Sequence, residues 1–423
     1  MTRAASPKLA AYAALAAFGL LAALIANRPE LVVVTAPFWF ALALGLAAAR
    51  DPELRLRAEL ERERALEGEN VVVNVELRSD RPVEHAELLL ELPPGLFVRE
   101  SANPVAFALR DGEREVRLDV ECRRWGGYVL GDVHVRARDR FGFFQFERRW
   151  EERLPLKVYP REEAVRFVLR PRETQVFAGN EVSRRHGEGI EFADLRQFVP
   201  GDRIRRVNWR ASARRGELWV NEHHPERNTD VVLFLDTFVE ARRAAAGTLD
   251  LAVRAAASLT SAYLQQRDRV GLVSFGGVLR WFLPGSGIVQ RYRVVDALLD
   301  TEIIENYAWK DIDVIPAGTL PPQALVVALS PLLDPRAVDA LLDLRARGFD
   351  LAVVEVSPVP FAPPGPSQVD QLAHRIWRLG REALRARFQQ AGVAVVEWRE
   401  GTPLAERLEE AEGFRRFART ARG

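Results

Sequence analysis

The chain has 423 residues but only one cysteine, Cys122, and one methionine. A single thiol excludes an intrachain disulfide framework and any metal centre assembled from several cysteines. It suits a reducing compartment, where thiols stay unpaired. Net charge is equally scarce, with 60 Lys and Arg set against 59 Asp and Glu, for a formal value of +1. No global positive field therefore draws the protein to nucleic acid. A Walker A loop is absent, and Gly285-Ser286-Gly287 is too short for a dinucleotide fingerprint. Ser330 has no Gly-x-Ser-x-Gly elbow around it and no evident triad partner. No catalytic constellation emerges, and the reading is of a non-enzymatic protein. The length itself allows two or three domains.

Apolar sequence is plentiful at the start. Leu9 to Ala26 and Leu31 to Ala49 contain no charged residue, and about eighteen or nineteen residues is the minimum that spans a hydrocarbon core of roughly 30 Å. Only Asn27-Arg28-Pro29-Glu30 separates them, with Pro29 stopping the first helix. Residues 1–50 are thus expected to form a transmembrane hairpin. A signal peptide would not be followed at once by a second span. Arg3 and Lys8 precede the first span, and Arg50, Arg55 and Arg57 follow the second, whereas the turn carries only Arg28 offset by Glu30. The positive-inside rule then places both termini and all later domains in the cytoplasm, on the inner face of a two-pass membrane protein.

From residue 51 to 160 the pattern changes to short alternating runs. Val71–Leu77, Glu87–Leu92, Val116–Val120 and Val133–Ala137 are separated by turn residues such as Pro93-Pro94-Gly95 and Gly126-Gly127. Strands at this spacing predict a β-sandwich of immunoglobulin-like type. His85, His134 and Cys122 occur singly on separate runs, which favours structural roles. The domain reads as a spacer or docking surface.

Residues 161–230 form a distinct Arg- and Gly-rich region. Its densest part holds Gly187, Gly189, Glu191, Arg196, Gly201, Asp202, Arg205, Trp209 and Arg214. The mixture is too irregular for a helix face and too rich in Gly and Pro for an ordinary strand, so a structured loop is expected. Glycines there permit positive φ or close backbone approach. Glu191 and Asp202 lie among many arginines and are expected to pair bidentately with guanidinium groups. Trp209 is large and flat enough to close over such a network and stack on an arginine. Three uses compete: a clamp on the next domain, a docking surface anchored by Trp209 and exposed arginines, or a catalytic or nucleic-acid site. The basic run from Ile204 to Arg215 lies beside acidic residues and has no interleaved aromatic beyond Trp209, which argues against a phosphate track. The His223-His224 pair points to opposite faces if it lies on a strand, a poor arrangement for one metal.

Residues 231–423 alternate strand and helix. Val231–Asp236, Val270–Phe275, Ala324–Leu329, Leu351–Val356 and Val393–Trp398 are the strands, with helices predicted near 248–267, 288–299, 336–347 and 368–390. This implies a doubly wound parallel sheet. Ligand sites in such sheets lie beyond the carboxyl ends of the strands, which here include Asp236 and Ser330.

The order of the glycine, Glu-Phe, Gly-Asp, Arg, Trp and Ala-Arg positions between Gly187 and Arg214 resembles the signature of the domain-of-unknown-function 58 family, and the resemblance extends over most of the chain. It implies a C-terminal domain of von Willebrand factor A type. That fold's adhesion site uses Asp-x-Ser-x-Ser to hold a divalent ion such as Mg²⁺; here the turn reads Asp236-Thr237-Phe238-Val239-Glu240. Asp236, Glu240 and Asp334 are the residues an altered metal site would use, and a metal-dependent ligand-binding module is the alternative reading. Otherwise no cofactor is expected. The resemblance also implies partnership with a MoxR-type AAA+ ATPase, in chaperone-like assembly or maturation of client proteins. The protein is then an adaptor that presents its α/β domain to that ATPase.

Overall fold

The computed structural model describes residues 2–48, 51–98, 103–110, 112–170, 192–200, 202, 204–223, 230–244, 246–303, 320–321 and 324–420. The chain divides into two compact units, Met1–Arg161 with Val295–Asp300, and Glu162–Val294 with Thr301–Gly423.

The first unit begins with a short strand β1 (Thr2–Ala5) and two apolar helices, α1 (Pro7–Ala26) and α2 (Glu30–Ala48). Pro7 starts α1 with its φ already set for a helix and no N–H to waste, and Asn27 ends it in the left-handed region. Both helices are long and apolar enough to cross a membrane. Phe18, Leu24, Ile25, Val33 and Phe40 all lie exposed along them, uncovered by protein.

Nine strands follow: β2 (Leu54–Leu60), β3 (Arg64–Leu66), β4 (Asn70–Ser79), β5 (Val83–Leu90), β6 (Leu96–Val98), β7 (Val105–Leu109), β8 (Glu113–Cys122), β9 (Gly126–Arg138) and β10 (Phe144–Tyr159). One sheet runs β1-β10-β9-β5-β7, with β3 also paired to β10; the other runs β2-β4-β8-β6. Period-2 alternation fixes the register. Val71, Val73, Val75 and Leu77 of β4 and Val116, Leu118, Val120 and Cys122 of β8 all point into one core shared with Leu88, Val133 and Val135 of the other sheet. Cys122 completes that apolar stripe, and burial pushes its thiol up to about 11. It is a small core residue, as its solitary position suggested.

The turn before β10 reaches the helical hairpin. Asp139 accepts from the amides of Phe141 (3.2 Å) and Phe144 (2.6 Å), which holds the turn. Phe143 is thereby placed against Ala16 and Leu42, with Tyr12 edge-on at 5.3 Å. A glycine is required opposite it: a Cβ on Gly45 would stand 2.4 Å from the Phe143 ring.

The second unit contains β11 (Phe192–Gln197), α3 (Trp209–Arg215), β12 (Trp219–His223), β13 (Asp230–Thr237), the two-residue strands β14 (Arg242–Arg243) and β15 (Ala246–Gly247), α4 (Thr248–Gln265), β16 (Arg269–Gly276) and β17 (Arg280–Gly285). α5 (Gly287–Leu299), β18 (Leu325–Ser330), α6 (Pro335–Ala346), β19 (Asp350–Val356), α7 (Gln368–Gln390), β20 (Ala394–Trp398) and α8 (Leu404–Thr420) complete the order. The main sheet runs β17-β16-β13-β18-β19-β20. All its pairings are parallel except that of β16 with the edge strand β17.

Val232, Phe234, Val326, Ala328 and Val353 share one core with Ala337, Leu341 and Leu344 of α6 and Phe388 of α7. Val231, Leu233 and Leu235 face the other side, equally buried, and α4 packs along β13, β16 and β18. Such near-continuous burial is why these strands read as unbroken apolar runs. The edge strand β17 and the terminal helix α8 are additions to the expected elements. The Arg- and Gly-rich region also differs from the loop expected of it. Its described part is a β11–β12 hairpin with α3 between the strands.

Candidate functional site

Two places gather the residues singled out by sequence. The first is the β11–α3–β12 module. Arg196 on β11 binds Asp202 through two parallel bonds, Nη1 to Oδ2 at 2.8 Å and Nη2 to Oδ1 at 2.7 Å. The same carboxylate accepts from the Val199 amide at 2.9 Å. This is the bidentate pairing expected of Asp202, and it locks the turn leaving β11. Gly187, Gly189, Glu191, Gly201 and His224 lie outside the described residues, as does the His223 side chain.

α3 is a seven-residue helix that needs its caps. Asn208 accepts from the Ala211 amide at 3.0 Å, and its amide nitrogen donates to Asn221 of β12 at 2.8 Å. Ser212 donates to the Asn208 carbonyl and accepts from the Trp219 amide at 2.8 Å, tying the helix to β12. Gly216 closes the helix at φ +75°, a conformation residues with a Cβ resist.

Trp209 does not cover this network. It is 63% exposed, at the first residue of α3, whose buried residue is Ser212. The tryptophan that stacks on a cation is Trp219, with the Arg215 guanidinium 4.1 Å from its ring centre. Ile204, Arg205, Arg210 and Arg214 are exposed like Trp209. The module therefore separates into an inward half, held by Arg196, Asp202, Asn208, Ser212 and Trp219, and an outward half of Trp209, Ile204 and arginines. Asn208 directly before Trp209 was the capping signal that the sequence reading passed over.

The second place is the carboxyl edge of the main sheet. The parallel strands follow the order β16-β13-β18-β19-β20, so the connections reverse direction between β13 and β18. That reversal opens the crevice in which doubly wound sheets bind ligands. Asp236 is the penultimate residue of β13 there, 2% exposed. It accepts from the Ser330 hydroxyl of β18 at 2.5 Å and from the Phe238 amide at 3.1 Å. Burial pushes its carboxyl up to about 7, although both hydrogen bonds pull the other way.

Phe238 stands where the expected adhesion turn would carry a hydroxyl. It is buried edge-on to Phe275 at 4.9 Å, and the Arg336 guanidinium lies 4.3 Å over its ring. Arg336 in turn binds Asp334, at 2.8 Å from Nη2 and 3.0 Å from Nε. Burial alone would raise the Asp334 carboxyl, but the Arg336 contacts hold it below the usual range. Glu240 pairs with Arg242 at 3.1 Å. Each of the three candidate metal ligands thus has a protein partner. Among the described residues, no group of three or more His, Cys, Asp or Glu is placed to hold a metal ion. At this edge the chain sets an aromatic ring, Phe238, and the Arg336 guanidinium beside Asp236 and Asp334.

Beside it lies a buried ionic cluster that sequence spacing did not reveal. Glu355 at the end of β19 is 1% exposed and Arg381 of α7 is 6% exposed. Arg381 binds Glu355 and donates to the carbonyls of Pro331 and Leu332, the latter at 2.8 Å. Arg385 bridges Glu355 (3.1 Å) and Glu397 of β20 (3.0 Å), and Ser357 donates to Glu397 at 2.7 Å. One helix therefore clamps the loop that follows Ser330.

The comparison with known families agrees with the signature. Residues 194–362 match the family model described as Protein of unknown function DUF58. This stretch runs from within β11 through β19, so it includes the described hairpin module and the crevice. The uncharacterized protein YeaD of Bacillus subtilis (strain 168) is 26% identical over 216 residues, which cover 49% of this chain and 52% of that protein. The chain thus spans about half the length of this curated relative. Among solved structures, that of Spo0M, a sporulation control protein from Bacillus subtilis, has 13% identity and a TM-score of 0.16, covering 25% of this chain and 49% of that one. A likeness of that size carries no argument about either fold or role.

Proposed function

We propose that the protein is a membrane-anchored, non-enzymatic adaptor. In this reading the two-sheet unit is a sandwich of immunoglobulin type and the α/β unit a von Willebrand A-type module. The partner is a cytoplasmic AAA+ ATPase of MoxR type, acting on further client proteins. The observation that carries the reading is the outward half of the β11–α3–β12 module. Trp and Arg dominate binding energy at protein interfaces, and Trp209, Arg210 and Arg214 lie exposed on a short helix held by its caps, with Arg205 exposed on the turn just before it.

The anchor follows from α1 and α2. Thr2–Ala5 before the hairpin and Leu54–Leu60 after it both enter the sandwich unit, which supports placing both flanks on one side of the membrane. The positive charges at Arg3, Lys8, Arg55 and Arg57 make that side the cytoplasm.

The test is purification of the full-length protein from native membranes in mild detergent, with and without ATP, followed by mass spectrometry. Recovery of an AAA+ ATPase that is lost in Trp209→Ala or Arg205→Ala supports the adaptor and its docking surface. Absence of any ATPase under both nucleotide conditions removes the proposed partner.

A further inference from the structure

α7 carries one broad apolar arc, only part of which meets the sheet. Its inner face holds Arg381, Leu384 and Phe388 against the sheet. Its outer face bears Val369, Leu372, Ile376 and Leu379, each 58–76% exposed, and continues through the exposed Ala383 to Ala386. The spacing alternates by three and four residues, the 3.5-residue repeat of a coiled-coil seam. A helix serving only its own sheet needs a narrower arc. The outer stripe begins directly after a capping box at Ser367 and Asp370, so the helix is fixed from its first turn.

We infer that α7 is a homodimerisation helix, pairing antiparallel with α7 of a second copy through the Val369–Ala386 seam. The register is set by the side chains. An antiparallel pair centred between Ile376 and Leu379 places Ile376 against Leu379 of the other copy, Leu372 against its Ala383, and Val369 against its Ala386. Large residues then meet large ones at the centre and small ones towards the ends. The seam extends about 27 Å, at 1.5 Å per residue.

The flanking charges agree with the same register. Arg375 of one copy falls beside Glu382 of the other, and two-fold symmetry repeats the pair. On the opposite flank Ala373 meets Gly380, which allows close approach. A parallel pair would instead leave Arg375 beside Gly380 and would draw Glu382 to Arg387, which Asp339 already engages at 3.5 Å. The antiparallel arrangement also opposes the helix dipoles favourably.

Light scattering after size exclusion, on the full-length protein in detergent across a dilution series, tests this directly. The expected result is a dimer. Arg375→Glu and Glu382→Arg each shift it toward monomer by at least tenfold in dissociation constant, and the double reversal restores it. Ile376→Glu gives monomer with little change in melting temperature, since the side chain is 62% exposed in its own chain. A monomer at every concentration overturns the inference. So does a dimer indifferent to Ile376→Glu. If the stripe instead binds a lipid surface or another protein, Ile376→Glu abolishes that binding but the double reversal does not restore a dimer, which equally overturns self-pairing.

Discussion

Replacing Arg381 with leucine isolates the buried cluster at the carboxyl edge. The guanidinium serves Glu355 and the carbonyls of Pro331 and Leu332 at once, and none of these groups can turn to water, because Glu355 is 1% exposed. Leucine fills similar space but leaves a carboxylate held by Arg385 alone and two carbonyls without donors. Breaking a buried ion pair from one side costs about 3–5 kcal/mol, most of it the stranded charge. For a unit of this size about 2–4 °C accompanies each kcal/mol, so a fall of roughly 6–20 °C in melting temperature is expected. Fluorescence of Trp398, buried on the neighbouring strand β20, gives a local report during urea unfolding of the full chain. The companion variant Arg381→Leu with Glu355→Leu removes both charges, and most of the stability should return, since paired apolar replacements of buried ions are often neutral. Arg381→Lys falls between, because one ammonium lacks the planar fork. If Arg381→Leu costs under about 1 kcal/mol, as exposed ion pairs do, Glu355 is hydrated and the clamp on the Pro331-Leu332 loop is not what holds that loop.

Three further outcomes are expected. Asp236 has a folded-state pKa raised to about 7 from 3.8, so the native state holds more protons than the unfolded one between those values. Its stabilising contribution is complete below about pH 4 and is lost as pH rises through 7, by up to about 4 kcal/mol; Asp236→Asn removes this dependence, and the same difference between variant and native urea midpoints at pH 5 and at pH 8 would contradict the assignment. Trp209→Ala should alter stability by under about 0.5 kcal/mol, whereas Trp219→Ala, which loses its packing under Arg215, should cost at least about 2 kcal/mol; equal melting temperatures for the two would refute the inward and outward division of the module. Gly45→Val should lower the melting temperature in detergent by forcing a Cβ into the Phe143 ring, and Phe143→Ala in the same chain should relieve it; failure of that rescue would mean that the turn does not dock on α2.

Much of this fold was legible because single-period patterns carried it. Unbroken apolar runs marked α1 and α2, alternation marked β4 and β8, and buried five- and six-residue runs marked the parallel strands. The bidentate Arg196–Asp202 pair followed from charge density over six residues of sequence. Contacts formed across the fold were invisible. Glu355 and Arg381 are 26 residues apart, and nothing local distinguishes them from other charges. The stacking role expected of Trp209 falls to Trp219 for a similar reason: only the Asn208 cap and the β12 pairing, formed by folding, leave Trp209 exposed and set Trp219 under Arg215.

α7 combines both limits. Its 23 residues were expected as a helix, but period alone does not tell which part of the apolar arc meets the sheet. The structure assigns the Arg381–Phe388 face to the core and leaves the Val369–Leu379 face outside. Because Arg381 grips the loop after Ser330, and Ser330 grips Asp236, the outer stripe lies one helix away from the switch-point crevice. Tilting α7 by pairing its outer face would strain the Arg381 contacts first, since they are buried and tied to backbone carbonyls. Occupancy of the helix seam and the arrangement of Phe238 and Arg336 at the sheet edge are therefore expected to be coupled. If that coupling exists, hydrogen-exchange protection of residues 330–336 rises in Ile376→Glu, which removes the pairing and its strain on the Arg381 contacts, and unchanged protection refutes it.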